Sequence, residues 1–154
     1  MSSADDLARR VAGKLLATDA FSRWLGLELV DVGAHRCTIR MTVRDEMVNG
    51  FGTCHGGITF AFADSALALA CNSHGRLTVA LDCNIGFAAA VQVGDVLTAS
   101  ATAESVQRKV AFYRIPITNQ RDEIVAIFRG TVYDTGRQHF PDAAPDHRVH
   151  ESRH

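Results

Sequence analysis

The chain has 154 residues, 47% of them hydrophobic and 21% charged, a globular balance that fits one domain with a sizeable core. A net charge of -1 and a pI near 6.6 advertise no basic surface for nucleic acid, and no stretch is long and apolar enough to span a bilayer. The N-terminus has acids before its bases and no unbroken apolar run after them, so it does not read as a secretory signal and a cytoplasmic location is expected.

From Ala4 to about Phe21, Leu7, Val11 and Leu15 recur at helical spacing, with Asp5 and Asp6 in the first turn, where the helix dipole favours acids. Residues 1–20 are therefore read as an N-terminal helix. Leu25 to Val32 alternates as a strand, Gly33-Ala34 turns, and His35 to Val43 alternates again with Cys37, Ile39, Met41 and Val43 on one face. Arg44 to Gly57 is a loop, and a long apolar helix follows to about Ser73, stopped at His74-Gly75. Four strand-like runs come next: Leu77–Phe87, Val96–Ser105, Ala111–Thr118 and Ile124–Tyr133. Residues 136–154 are rich in His, Arg, Asp and Pro, which predicts a disordered tail, and its His139, His147, His150 and His154 are given no function.

This order predicts an α+β fold over residues 21–135, an antiparallel sheet wrapped around one long central helix. A helix that is apolar nearly all round needs cover on several sides, and one sheet leaves two open edges. At least a dimer is expected, with the sheets or helices of two chains meeting. The four cysteines, Cys37, Cys54, Cys71 and Cys83, form no CxxC pair and read as free thiols. Cys71 and His74 have the spacing of two metal ligands but lack a coherent ligand set, so no metal is predicted.

Asp64 is the only Asp, Glu, Lys or Arg between Met47 and Gly75. Placing an unpaired carboxylate inside a core helix costs several kcal/mol, about 3–5 where a buried partner is missing. A reaction would account for that cost; so would a structural role, such as capping a partner's helix, and the residues alone leave the two readings level. The turn before the helix, Asn49-Gly-Phe-Gly-Thr-Cys-His-Gly-Gly57, opens straight into it. A helix start exposes unsatisfied N–H groups, and glycine lets a ligand approach them, so a carbonyl bound there is polarised. Gly56 and Asp64 are eight residues apart, about 12 Å along a helix axis. If both act on one carbonyl, two chains must build the site.

Asp64 could take a proton from water or attack an acyl carbon directly. Asn49 could hold the water, or serve only as a turn residue. His55 could meet a thioester oxygen, or only anchor the loop. Ser65 is most simply a small helix residue. Arg108, Lys109, Arg76 and Arg129 could meet phosphates, or stand as isolated surface bases.

The run from Asn49 to Asn72, with its His-Gly-Gly and later Ala63-Asp64, resembles the hotdog-fold acyl-CoA thioesterases of the phenylacetate-degradation type. The later pattern Gly94-Asp95, Arg108, Tyr113, Ala126 and Phe128 to Tyr133 extends the likeness over about residues 20–134. The resemblance implies a hotdog fold, homodimers paired into homotetramers, and hydrolysis of small acyl-CoA thioesters, aromatic ones favoured. It implies Asp64 as base or nucleophile, Gly56 as oxyanion donor with Gly57 beside it, Asn49 as the group positioning water or carboxylate, and His55 as its neighbour on the thioester side. Ser65, Arg108 and Lys109 are the remaining substrate contacts expected. No cofactor is expected, because coenzyme A belongs to the substrate. The chain departs from some relatives at Ala80, where they place a strand serine that Thr78 or Ser65 could replace, and at Phe87-Ala-Ala-Ala90, where many have Arg-Pro. Two rival readings are a hotdog hydratase or dehydratase, which would need a histidine inside the central helix, and a non-catalytic acyl-CoA binding module.

Overall fold

The computed structural model describes residues 2–141. Helix α1 (Ser3–Thr18) starts where the Ser2 hydroxyl accepts the Asp5 amide, and it buries Ala8, Val11 and Ala12. The single helix expected through Phe21 is broken at Asp19. That carboxylate accepts the Ser22 amide at 3.0 Å and the Ser22 hydroxyl at 2.6 Å, which starts a separate helix α2 (Ala20–Leu25). Gly26 ends α2 in the left-handed region at φ 72°. The first strand therefore starts later than its alternation suggests: Leu25 closes the helix and is buried, and β1 runs over Glu28–Gly33.

β1 pairs antiparallel with β2 (Arg36–Thr42) in the expected hairpin, whose turn sits one residue later than read, at Ala34-His35. Cys37, Ile39, Met41 and Val43 are buried, as their shared face requires. After a loop come α3 (Gly56–Cys71), β3 (Arg76–Phe87), β4 (Val96–Val106), β5 (Val110–Thr118) and β6 (Ile124–Gln138). The six strands form one antiparallel sheet in the order β1-β2-β4-β5-β6-β3. It wraps α3, and Phe62 and Leu67 of that helix meet Ile39, Leu97, Ile115, Ile117 and Phe128 in one core. β6 passes so close to α3 that a Cβ on Gly130 would stand 2.6 Å from Leu67 Cδ2. The β1 edge is flanked by α1, whereas the β3 edge is uncovered among the described residues and carries exposed Val79, Leu81 and Phe87.

The tail starts later than its composition suggests. β6 continues to Gln138, and the next residue, His139, is buried. The His139 amide donates to Gly75 O at 2.8 Å, its Nε2–H donates to Asn72 Oδ1 at 2.7 Å, and Lys14 Nζ donates to its carbonyl. Phe140 lies under the guanidinium of Arg10, 4.4 Å from its ring centroid. These partners come from α1 and from the end of α3, so no local pattern reveals them. His147, His150 and His154 lie outside the described residues.

Burial, with Lys14 and His74 nearby, holds His139 below the ordinary histidine range; burial, His74 and Arg76 do the same for His35. Both groups bind protons more weakly folded than unfolded. Their stabilisation is complete above an unfolded histidine pKa of about 6.5 and is lost as pH falls through and below it. We expect His139→Ala to cost about 1–2 kcal/mol at pH 7.5 and to flatten the loss of stability between pH 7 and 5. Urea unfolding across that pH range measures both effects.

Candidate active site

Asn49 folds its own loop. Its Oδ1 accepts the amides of Phe51 at 2.9 Å and Thr53 at 3.2 Å, and its Nδ2 donates to Thr53 Oγ1 at 3.1 Å. Gly52 takes φ 79°, the left-handed turn that this closure needs. His55 is the N-cap of α3, with extended backbone at φ -60° and ψ 132°. Its Nδ1 accepts the Gly57 amide at 2.8 Å, so Gly57 is not a free donor beside Gly56. The His55 carbonyl accepts the Ile58 and Thr59 amides at 2.9 and 3.4 Å. Among the described residues the Gly56 N–H alone of these first-turn amides has no acceptor. Phe87 lies against it: a Cβ on Gly56 would stand 3.0 Å from Phe87 Cζ.

Asp64 is not sealed in the core, as its apolar neighbours suggest. It stands on a solvent-open stripe of α3 with Gly57 and Ala68, Ala61 lying half-buried between them. The opposite faces of the helix bury Thr59, Phe62, Ala63, Ala66, Leu67, Leu69 and Ala70. Asp64 lines a groove of about 190 Å³ with Leu67, Ala68, Cys71, Thr78, Val79 and Ala80. No hydrogen bond or ion pair to its carboxylate is found among the described residues. Hydrocarbon crowds it closely enough to desolvate the carboxylate and raise its pKa above the ordinary aspartate value.

Both hydroxyls considered in place of the one absent at Ala80 have partners within the protomer. Thr78 lines the groove but its hydroxyl donates to Arg76 O at 3.1 Å. Ser65 Oγ lies 3.4 Å from Ser22 Oγ and faces α2, outside the groove. Gly56 opens into a different cavity of about 360 Å³, walled by Phe87, Ala88, Ala89, Ala90, Val91 and Val125 among others. Within one protomer, Gly56 and Asp64 therefore face separate spaces.

Beyond the other end of α3, Arg76, Arg108 and Lys109 line a cavity of about 280 Å³ with Asp134 and Gly136. Three of the four bases considered from sequence thus gather. Arg129 does not: it lies mid-strand in β6, in register with Asn84 and Arg114. Asp134 accepts Arg76 Nε at 2.5 Å, the Gly136 amide at 2.8 Å and His74 Nε2 at 3.2 Å. Burial pushes the Asp134 carboxyl up, but those hydrogen bonds outweigh it and its pKa is lowered overall. Behind it His74 stacks on His35 at 5.1 Å, and His35 Nδ1 meets the Tyr113 hydroxyl at 3.0 Å. This polar cluster joins residues 35, 74, 113 and 134, and their separation in the chain hides it from sequence. Among the described residues no group of three or more His, Cys, Asp or Glu is placed to hold a metal, and all four cysteines are free.

Residues 51–126 match the Thioesterase superfamily. The chain is 38% identical over 125 residues to acyl-coenzyme A thioesterase PaaI of Escherichia coli, spanning 81% of this chain and 89% of that protein. The chain belongs to the PaaI-like hotdog thioesterases. The solved structure of the E. coli PaaI protein from the phenylacetic acid degradation operon superposes with a TM-score of 0.86 at 36% identity, covering 88% of this chain and 99% of that one. A hypothetical thioesterase protein from Streptococcus pneumoniae solved with coenzyme A superposes with a TM-score of 0.70 at 26% identity, over 73% of this chain and 90% of that one. Membership makes this thioesterase a thioester hydrolase whose sheet and helix form the hotdog. A hydratase histidine is missing from the interior of α3, since His55 sits at its cap.

We expect Asp134→Asn to destabilise this thioesterase by about 1–2 kcal/mol at pH 7, because the mostly buried Asp134 loses its charge-assisted bonds to the half-exposed Arg76 and to His74. A carboxyl with a lowered folded pKa stabilises above its unfolded value of about 3.9 and loses that contribution as pH falls through the folded pKa. The gap between wild type and variant should therefore close in acid, as thermal unfolding from pH 7 to 3 would show.

Proposed function

We propose that the chain hydrolyses small acyl-CoA thioesters, with phenylacetyl or hydroxyphenylacetyl groups favoured, in a site shared by two protomers. The observation that carries this reading is the pairing of one free Gly56 N–H with one unpartnered Asp64 carboxylate on the same rigid helix, opening into separate spaces. The PaaI relative supports the acyl-CoA class, and the phenylacetic acid operon of its structure supports an aromatic acyl group. The coenzyme A held by the pneumococcal relative supports a CoA site, for which Arg76, Arg108 and Lys109 are the cations available here.

A homodimer, itself pairing into a homotetramer, supplies the second half of each site. The bare β3 edge, with Val79 44% and Leu81 59% exposed, and the small-residue stripe of α3 beside it form a self-complementary face. Across a two-fold axis, Asp64 of one protomer meets Gly56 of the partner subunit. No helix among the described residues is long and apolar enough to cross a membrane. A cytoplasmic location fits, since coenzyme A esters are made and used there.

The reaction needs a base, water and one amide. The thioester oxygen accepts the Gly56 N–H, which polarises the carbonyl. Asp64 takes a proton from water while the water oxygen bonds to the acyl carbon, giving a tetrahedral oxyanion held by that amide. Collapse breaks the carbon–sulfur bond, and the Asp64 proton passes to the departing thiolate. The products are a carboxylic acid and coenzyme A. The second hydrogen on Asn49 Nδ2 is available to orient the water, while its oxygen stays within its loop.

Asp64→Asn should keep fold and assembly and lower kcat by about 10²–10⁴-fold in a thiol-release assay. Equal turnover by the variant would sink the base assignment. In wild type, the acid limb of kcat/KM should lie above the ordinary aspartate pKa, because the free carboxyl is raised.

Gly56→Pro removes the amide N–H. Proline suits the first helical position, and the extended backbone of His55 tolerates it. The free N–H is lost and the added ring presses on Phe87, 3.0 Å from a Cβ at this position, so kcat should drop at least about 10²–10³-fold with the helix intact by circular dichroism. Mixing refolded Asp64→Ala and Gly56→Pro chains should restore turnover, because each mixed dimer contains one intact site and one doubly disabled site. Absence of rescue in dimers verified as mixed would rule out the shared site.

A further inference from the structure

The groove that holds Asp64 has two walls. Asp64, Ala68 and Cys71 stand on α3, and Thr78, Val79 and Ala80 stand on β3. Residues 72–75 join the helix to the strand, so this junction sets how far apart the walls stand. Asn72 fills the junction and is 4% exposed. Its Nδ2 donates to Ala68 O at 2.9 Å and to Thr78 O at 3.1 Å, and its Oδ1 accepts the Thr78 amide at 2.8 Å. Among the described residues no other side chain is hydrogen-bonded to both walls.

The second lone pair of Asn72 Oδ1 is taken by His139, whose Nε2–H donates to it at 2.7 Å. Two carbonyl acceptors mark Nδ2 as the amide nitrogen, so Oδ1 is the oxygen and His139 must carry its proton on Nε2. The ring is held in turn. His139 is 7% exposed, its amide donates to Gly75 O at 2.8 Å, and Lys14 of α1 donates to its carbonyl. Burial, with Lys14 and His74 facing the ring, favours its neutral form. Both amide hydrogens and both carbonyl lone pairs of Asn72 are thus engaged, and a buried polar network with every position filled is rigid. Without His139, water reaching the vacated lone pair would compete for the bonds to Thr78 and Ala68.

We propose that His139 is a positioning residue, which completes the hydrogen bonding of Asn72 and thereby fixes the α3 and β3 walls of the Asp64 groove at their catalytic spacing. This rests on Asp64 as the base. His139 touches no substrate and acts only through Asn72. The hydrocarbon of the two walls keeps water from the carboxylate, so a wall that drifts outward both hydrates Asp64 and changes its reach to the attacking water.

Two substitutions test this. His139→Leu removes the donor and keeps an apolar side chain in the buried position, whereas His139→Gln returns an amide N–H at nearly the same reach. Each is assayed at a temperature where circular dichroism shows it fully folded. One measurement is kcat by thiol release. The other is the titration of Asp64 itself, followed by carbon-13 NMR of its carboxyl, the signal being assigned by its loss in Asp64→Asn. Among the described residues the titratable groups that sense Asp64 are the thiols of Cys71 on α3 and Cys83 on β3. Burial pushes both thiols up, so they stay uncharged where Asp64 titrates and a moved signal reports water. His139→Leu should lower kcat about tenfold and bring the Asp64 titration down toward the ordinary aspartate range. His139→Gln should restore both, with kcat within about twofold of wild type.

A purely structural contact would lower the melting temperature of His139→Leu and leave kcat and the Asp64 titration unmoved, and that result would overturn the proposal. So would His139→Gln failing as fully as His139→Leu, since the donor would then not be what matters. The NMR titration needs no turnover, which separates this inference from the base assignment. A signal that moves in His139→Leu and returns in His139→Gln supports the positioning role even where Asp64→Asn turns over normally. An unmoved signal beside an inactive Asp64→Asn overturns the positioning role alone. Nitrogen-15 spectra of the wild-type protein add a check independent of any variant: the His139 ring should show the neutral Nε2–H tautomer, and the Nδ1–H tautomer would overturn the proposal.

Discussion

Gly56 and Asp64 sit on one rigid rod, about 12 Å apart along its axis, and cannot converge within a chain. Around that separation the remaining architecture takes its sense. The sheet that wraps α3 buries three of its sides but leaves the stripe carrying Asp64 uncovered. β3 borders that stripe as a bare edge. A protomer with an open helix face and an open strand edge side by side offers one continuous surface to a second copy. In the dimer proposed above, the contact that covers the face also brings Asp64 to the Gly56 amide.

Each reactive group is isolated by its neighbours' hydrogen bonds. The Gly56 amide is free because His55 uses its ring nitrogen on Gly57 and its carbonyl on the next two amides. Asn49 folds the preceding loop through both ends of its side chain, so its main task is to set where that amide points. Asp64 has no partner among the described residues, and its apolar surroundings raise its pKa. A carboxylate and an amide that are each unsatisfied suit a ligand better than they suit the fold.

Charge is divided along the molecule in a way that net charge conceals. The chain as a whole carries -1, yet Arg76, Arg108 and Lys109 gather at one cavity while the Phe87 cavity has no charged lining. Bases separated by some thirty residues meet there because the β4–β5 turn lies beside the start of β3 and the late part of β6. Asp134, fixed by Arg76 and His74, anchors that corner and ties it to the His35–Tyr113 contact behind.

Much of this was legible in the residues. Alternation revealed the buried face of β2, the apolar run revealed α3, and a lone acid after a glycine turn singled out Asp64, Gly56 and His55, because those signals are local and periodic. The break at Asp19 and the helical end at Leu25 were not legible, since a side-chain cap competes there with a continuing pattern. His139 looked like tail because its partners, Asn72, Gly75 and Lys14, are remote in sequence. Sequence by itself determined most of the elements and the family, both of which depend on short-range spacing. Tertiary structure alone decided that Asp64 faces outward, that Gly57 is engaged while Gly56 is free, and that Arg76, Arg108 and Lys109 gather at one cavity, because orientation and solvent exposure depend on which distant strands pack against each face.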